Sequence, residues 1–231
     1  MMSKLILMRH GESIYNQKNL FTGWTDVELS QKGVQEAKEA GALLKKNGIY
    51  PDICFTSWLK RAIHTAQIAL RELEWEHIDT IRSYKLNERH YGAWQGEDKT
   101  KVLQEYGKEQ FLAVRRGYDV PPPPLDADDK RVAWQEKKYA NFSHDLLPLH
   151  ESLKDTKVRV MDYFESVLVK ELQKQKSVLV SAHGNSLRSL VMHLEKLSEK
   201  EVVNLEIPTG EIRVYTFDAT FTIQNREILT L

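Results

Sequence analysis

Two apolar runs in this chain end in the same way. Leu5–Met8 leads into Arg9, His10 and Gly11, and Val178–Ser181 leads through Ala182 into His183 and Gly184. Short, wholly apolar runs are the pattern of strands buried on both faces. In an open α/β sheet, ligands bind at the carboxyl ends of the strands, where the strand order reverses. Both imidazoles are therefore expected to face one crevice. The glycine after each histidine lets backbone N–H groups approach an anion, and a helix starting near Ser186 aims its positive end at the same place. Two arginines suit such a site: Arg9 beside His10, and Arg61 at the start of a helix just after a second strand. A guanidinium binds a pair of phosphate oxygens and stays charged at any working pH. It also disfavours imidazolium in a neighbouring histidine, which keeps a ring nitrogen free to attack. A neutral histidine among arginines can act as a general base or as a nucleophile. The dense cationic ring favours the nucleophile, because it stabilises a transferring phosphoryl group. Taken singly, the same residues also fit strand-end histidines bonded to backbone carbonyls, and solvated arginines. Their combination points to phosphoryl transfer on His10. Gly11–Gln17 lacks the spaced glycines and the lysine of a nucleotide-binding P-loop.

The elements that must position these groups follow from periodicity. Lys4–Met8 is a first strand. Ser30 caps a helix carrying Val34, Ala37, Gly41 and Leu44 at helical spacing, with a stop at Asn47 and Gly48. Pro51 opens a second strand, Ile53–Thr56, and Leu59–Leu73 is a second helix. An amphipathic helix from about Ser152 to Gln173 presents Val158, Met161, Phe164 and Leu168 on one face. Strand Val178–Ser181, helix Ser186–Leu197 and a closing strand Ile212–Phe217 complete the order. Strands alternating with helices imply parallel pairing with right-handed crossovers. The expected fold is α/β in three layers (α/β/α), with a mostly parallel open sheet and helices on both faces. The stretch from about Glu76 to Pro148 lacks a sustained period, is rich in charge and contains the run Pro121–Pro124, which is neither helix nor central strand. It is expected to be an inserted lid over the sheet within a single domain spanning 1–231.

Composition narrows the partners. A chain of 231 residues, 41% apolar, can bury one sizeable core. Its 33 basic and 33 acidic side chains cancel, so no bulk field draws it to nucleic acid or an anionic membrane. The apolar run near the N-terminus is too short for a signal segment or a membrane span, and a cytoplasmic location is expected. The single cysteine, Cys54, lies within an apolar strand and is expected to be a packed core residue, with no internal disulfide and no thiolate metal site.

Arg9–Ser13, His183–Ser186 and Leu86–Gly92 together resemble the cofactor-dependent phosphoglycerate mutases, a branch of the histidine phosphatase superfamily. The resemblance covers nearly the whole chain. Phe21–Trp24, Thr56–Ala62, Asn87–Gly92, Arg115–Arg116 and Ile207–Gly210 make it specific, because they occur in the family's order and at about its separations. It implies interconversion of 2-phosphoglycerate and 3-phosphoglycerate through a phosphohistidine on His10, primed by 2,3-bisphosphoglycerate and without a metal. Glu88 is then the general acid and base for the hydroxyl proton, a role that needs nearby anions to help it hold a proton part of the time. His183 donates a hydrogen bond to the transferring group. Arg9 and Arg61 clamp that group. Asn16, Thr22, Gly23, Arg89, Tyr91, Lys99, Arg115, Arg116, Gly184 and Asn185 complete the substrate site. Arg9, Arg61, Lys99, Arg115 and Arg116 would offset the nearly three negative charges of a phosphoglycerate within a neutral protein.

Ser13, Thr22 and Gly23 agree with the mutase form rather than the bisphosphoglycerate-synthesising relatives. Tyr15 stands where tryptophan is common, and Gly96–Lys99 adds Glu97 and Asp98 beside a substrate lysine. The chain ends at Leu231, soon after its last expected strand, where many members carry a longer tail that helps close the site; some access of water to the phosphohistidine is expected. The alternative within the fold is a phosphohistidine-type phosphatase, and outside enzymology a protein that only binds phospholigands. Members of the family form monomers, dimers or tetramers; a homodimer is compatible with the sequence, and no exposed apolar stripe selects among these assemblies.

Overall fold

The computed structural model describes residues 2–231. Six strands form one mixed sheet in the order β3-β2-β4-β1-β5-β6. They are β1 (Ser3–Arg9), β2 (Ile53–Thr56), β3 (Thr80–Arg82), β4 (Ser177–Ala182), β5 (Ile212–Phe217) and β6 (Ile223–Leu229). β3, β2, β4 and β1 run parallel, and β5 lies antiparallel to both β1 and β6. Alternation within β1 divides the core. Leu5 and Leu7 join Phe55, Val178 and Val180 on one face, while Ile6 and Met8 join Cys54 and Leu179 on the other. The first face is covered by α5 (Leu153–Tyr163), a π turn (Phe164–Leu168), α6 (Val169–Gln173) and α7 (Gly184–Leu194); the second is covered by α2 (Gln31–Lys46) and α3 (Lys60–Glu72). The three-layer expectation therefore holds. Burial pushes the Cys54 thiol up to about 12, so it stays protonated inside the core.

Several boundaries and faces differ from the sequence reading. α7 begins at Gly184, with His183 as its N-cap, rather than near Ser186, and it ends at Leu194. Val158 is 70% exposed, so it is not on the buried face of α5; Val160, Met161, Phe164 and Leu168 are. The π turn adds a residue to the helical repeat and shifts the buried stripe. β3 and β6 were not anticipated. β3 is a short edge strand, and β6 is an edge strand whose central residues, Gln224–Glu227, are polar and exposed. The strand Ile212–Phe217 is not the closing one, since β6 follows it.

The stretch read as aperiodic contains α4 (Lys99–Arg116). Asp98 caps it by accepting the Thr100 and Lys101 N–H groups, at 2.8 and 3.0 Å. The helix is broken at Gly107, which adopts φ 76°, ψ 162°. That break hid the period: Val102 and Tyr106 lie before it, Phe111 and Val114 lie after it, and the phase jumps between them. Both halves nonetheless pack on Phe21 and Trp94. Two short helices, α1 (Ile14–Gln17) and α8 (Glu199–Val202), and five 3-10 turns between Tyr84 and Leu146 complete the described elements.

Candidate active site

β1 and β4 are parallel neighbours with Arg9 opposite Ala182, so the residues that follow them, His10 and His183, emerge side by side. The His10 N–H extends the ladder to Ala182 O at 3.0 Å. The two ring centroids lie 5.0 Å apart, close to the spacing of adjacent strands. On the other side of β4, β2 pairs Thr56 with Ser181 and delivers Arg61 on the first turn of α3. The crevice is therefore set by three adjacent strand ends, as expected.

The ring of His10 is oriented by one bond. Nδ1 lies 2.6 Å from Gly11 O, a carbonyl that can only accept, so Nδ1 carries the proton and Nε2 is left with its lone pair. Burial holds the imidazole well below its ordinary range, and the Arg61 and then the Arg9 guanidinium add to the effect. Both arginines therefore act on the ring, Arg61 as well as the adjacent Arg9. His183 is depressed in the same way, by burial first and then by Arg61 and His10. Its Nε2 lies 2.7 Å from Ser57 Oγ, and its buried Nδ1 has no partner within the protein.

Arg9 and Arg61 are buried and fastened from behind. Arg9 donates to Ile207 O, and Arg61 donates to Thr25 O and Gly23 O at 3.1 and 2.8 Å. The Nε of each has no protein partner. A buried unsatisfied donor costs about 1–3 kcal/mol, so these groups fit a site completed by an anion. Burial brings Arg61 down to about 10 and Lys99 to about 8, the latter with help from Arg115 and Arg9.

Glu88 sits opposite. Its Oε1 accepts the N–H groups of Arg89 and Asn185, at 2.8 and 3.0 Å, which leaves Oε2 as the oxygen without a fixed bond. The backbone around Glu88 is pinned by Trp24 Nε1, which donates to Glu88 O at 2.6 Å, and by Arg159. Arg159 in turn forms a buried ion pair with Glu151 at 2.7 Å.

One cavity of about 330 Å³ is lined by Arg9, His10, Asn16, Thr22, Gly23, Arg61, Glu88, Tyr91, Lys99, Arg115, Arg116, Gly184 and Asn185. His183 lies just behind His10. Arg89 does not itself line the cavity: it is fully buried and its guanidinium donates to Val114 O, Arg115 O and Tyr91 Oη, behind two residues that do. Those carbonyls end α4, and arginine satisfies them as a C-terminal cap. Gly11 is a correction. Its N–H donates to Thr65 Oγ1 at 3.1 Å rather than facing an anion, and a Cβ there would collide with the backbone of Gly33. Likewise the Asn185 N–H at the start of α7 is taken by Glu88. At Gly184 the neighbours of a Cβ would be Arg9 and Glu88, both at 3.6 Å, so that position does face the cavity.

Three residues were missed. Arg188 bonds Asn185 Oδ1 at 2.8 Å and the carbonyls of Arg116 and Val202, joining α7 to the ends of α4 and α8. Its signal was legible as an arginine one helical turn beyond Asn185. Ser57 stands directly after β2, as the histidines stand after their strands. Glu206 precedes the Ile207–Gly210 segment and lines the cavity. Among the described residues, no group of three or more His, Cys, Asp or Glu side chains is placed to hold a metal ion. No helix among them is long and apolar enough to cross a membrane.

Residues 5–225 match the family described as the histidine phosphatase superfamily, branch 1. A 2,3-bisphosphoglycerate-dependent phosphoglycerate mutase of Treponema denticola is 47% identical over 226 residues, covering 98% of this chain and 92% of its own length. One from an Arthrobacter species is 51% identical over 218 residues, covering 94% and 88%. Among solved structures, a mycobacterial glucosyl-3-phosphoglycerate phosphatase superposes with a TM-score of 0.73 at 22% identity, covering 99% of this chain and 98% of its own. A phosphoglycerate mutase from Bacillus anthracis gives 0.69 at 19% identity, covering 100% and 92%. Both structural likenesses are likenesses of fold.

Proposed function

The chain belongs to branch 1 of the histidine phosphatase superfamily and, within it, to the 2,3-bisphosphoglycerate-dependent phosphoglycerate mutases, and on that premise we propose that it interconverts 2- and 3-phosphoglycerate by carrying a phosphoryl group on His10. The observation that carries this reading is the state of His10: a neutral ring with its proton fixed on Nδ1, at a cavity walled by Arg9, Arg61, Lys99, Arg115 and Arg116. Such a ring has one lone pair to give, and the wall neutralises the charge of what it receives.

When bound, 2,3-bisphosphoglycerate supplies the phosphoryl group that primes His10. Arg9 and Arg61 hold that group in line with Nε2, with their backs fixed by the carbonyls of Ile207, Gly23 and Thr25. His183 Nε2 lies within hydrogen-bond distance of Ser57 Oγ; in the tautomer in which Ser57 donates, the ring proton of His183 sits on Nδ1 and is the hydrogen-bond donor to the transferring oxygens. Glu88 Oε2 gives and takes the hydroxyl proton as the phosphoryl group moves between His10 and the glycerate. Asn16, Thr22, Gly23, Tyr91, Lys99, Arg115, Arg116, Gly184 and Asn185 hold the carboxylate and the second phosphate. Arg89 acts indirectly by capping α4. β3 and Glu88–Tyr91, early in segment 76–148, belong to the sheet and the site; the rest of the segment, carrying α4, is the lid that keeps water from phospho-His10 while the ligand reorients. The activity places the protein in glycolysis and gluconeogenesis, and we assign it to the cytoplasm, where those substrates are.

The test is to mix the pure protein with 2,3-bisphosphoglycerate, locate the acid-labile phosphate by mass spectrometry at alkaline pH, and follow the product from 3-phosphoglycerate. Label on His10, absent in His10→Ala, with 2-phosphoglycerate as product is the expected outcome. Free phosphate as the main product would make the protein a phosphatase of the same fold. Absence of label on His10 would overturn the reading altogether.

A further inference from the structure

Glu206 is a carboxylate in the wall of a cavity otherwise built for an anion. Of the carboxylates lining that cavity, Glu88 has a task in the reaction; Glu206 has none. Its side chain forms an ion pair with Arg116, and among the described residues Arg116 alone of the six cationic residues lining the cavity, Arg9, Arg61, Lys99, Arg115, Arg116 and Arg188, is paired with a carboxylate. The pair joins the end of α4 to the loop before Ile207, and its two members also line a second groove on the outer side of the same wall. The Glu206 side chain is 66% exposed and that of Arg116 28%, so the acid can swing to solvent while the guanidinium stays at the cavity.

We propose that Glu206 sets the affinity of the site for its phosphorylated acid by competing with that acid for Arg116. This rests on the reading of the cavity as the phosphoglycerate site. Before a ligand arrives, the carboxylate of Glu206 satisfies the guanidinium; the ligand's phosphate or carboxylate then takes its place, and Glu206 turns outward. The exchange is easy because an exposed ion pair is worth little. It still weakens binding, both by the pair that must be broken and by the negative charge left near Arg115 and Arg116. Glu206 thus opposes binding and sets how tightly the site holds its ligand.

The experiment compares the unaltered protein with Glu206→Gln by calorimetric titration with 3-phosphoglycerate and by initial rates. The exposed side chain contributes nothing to the core, so the variant folds, and thermal melting checks it. The expected result is a Kd and a KM lowered roughly two- to fivefold, with kcat unchanged and the gap narrowing at about 0.5 M salt. Glu206→Asp, which keeps the charge and withdraws it by a methylene, should fall between. Affinity that is unchanged or weaker in Glu206→Gln would overturn the proposal and make Glu206 a support that holds Arg116 in place. An unaltered protein that binds 3-phosphoglycerate without isomerising it would remove the mutase reading and leave the affinity comparison standing. No binding at all would remove both.

Discussion

Arg61 has two tasks. Its Nη1 and Nη2 tie down the Gly23–Thr25 loop, and its charge, close to both histidines, keeps their rings neutral. Replacing it with alanine should therefore lower kcat by more than the loss of a surface contact would. The expected cost is about 2–4 kcal/mol of barrier, as for one preorganised donor at a developing charge, or roughly 30- to 1000-fold in rate. Single-turnover transfer from 2,3-bisphosphoglycerate measures it; a change below twofold would place Arg61 outside the clamp. These residues were legible in the sequence because each stands at a strand end or on the first turn of a helix, where periodicity fixes direction. That Arg89 stands behind the cavity wall was not legible, because nothing local says which way a buried guanidinium turns. That depends on where α4 ends, and its last carbonyls are long-range neighbours of Arg89.

At the scale of elements, α4 carries Lys99 at one end and Arg115 and Arg116 at the other, with a break between. Gly107 has φ 76° and ψ 162°, a region essentially confined to glycine, and a Cβ there would meet no other atom within 4 Å. Backbone strain alone therefore decides what Gly107→Ala does. It should cost about 1–3 kcal/mol locally, or straighten the helix and shift Arg115 and Arg116 away from the cavity. Proteolysis within α4 should quicken and KM for phosphoglycerate should rise, with kcat less affected. Equal cutting rates and an unchanged KM would mean that the break has no part in holding the two cationic ends. The break also explains why the helix escaped detection, since each half has too few apolar residues to establish a period.

For the whole molecule, the buried histidines tie stability to pH. His10, His90 and His183 all have their protonation opposed by burial, with His90 brought to about 3. Below about pH 6.5 the unfolded chain takes up protons that the folded one refuses, so acid favours unfolding. Their contribution is complete above that pH and is lost progressively as pH falls, by up to about 1.4 kcal/mol per pH unit for each histidine. Urea midpoints should drop between pH 7.5 and 5.5; a level midpoint across that range would show that the histidines are hydrated in the native state. The same neutrality should keep the acid limb of kcat/KM that belongs to His10 below pH 6.5.

The sequence by itself determined the strands that carry the histidines and the layered α/β arrangement, because these depend on local periodicity and on residues at element ends; Lys99, Arg115 and Arg116 were legible only through the family resemblance. The tertiary structure alone decided three further matters. They are the antiparallel edge of the sheet, the use of Arg89 and Arg188 as braces, and the pairing of Glu206 with Arg116. Each depends on which distant backbone carbonyl or charge lies within reach of a long side chain or an edge strand, and that distance exists only once the chain has folded.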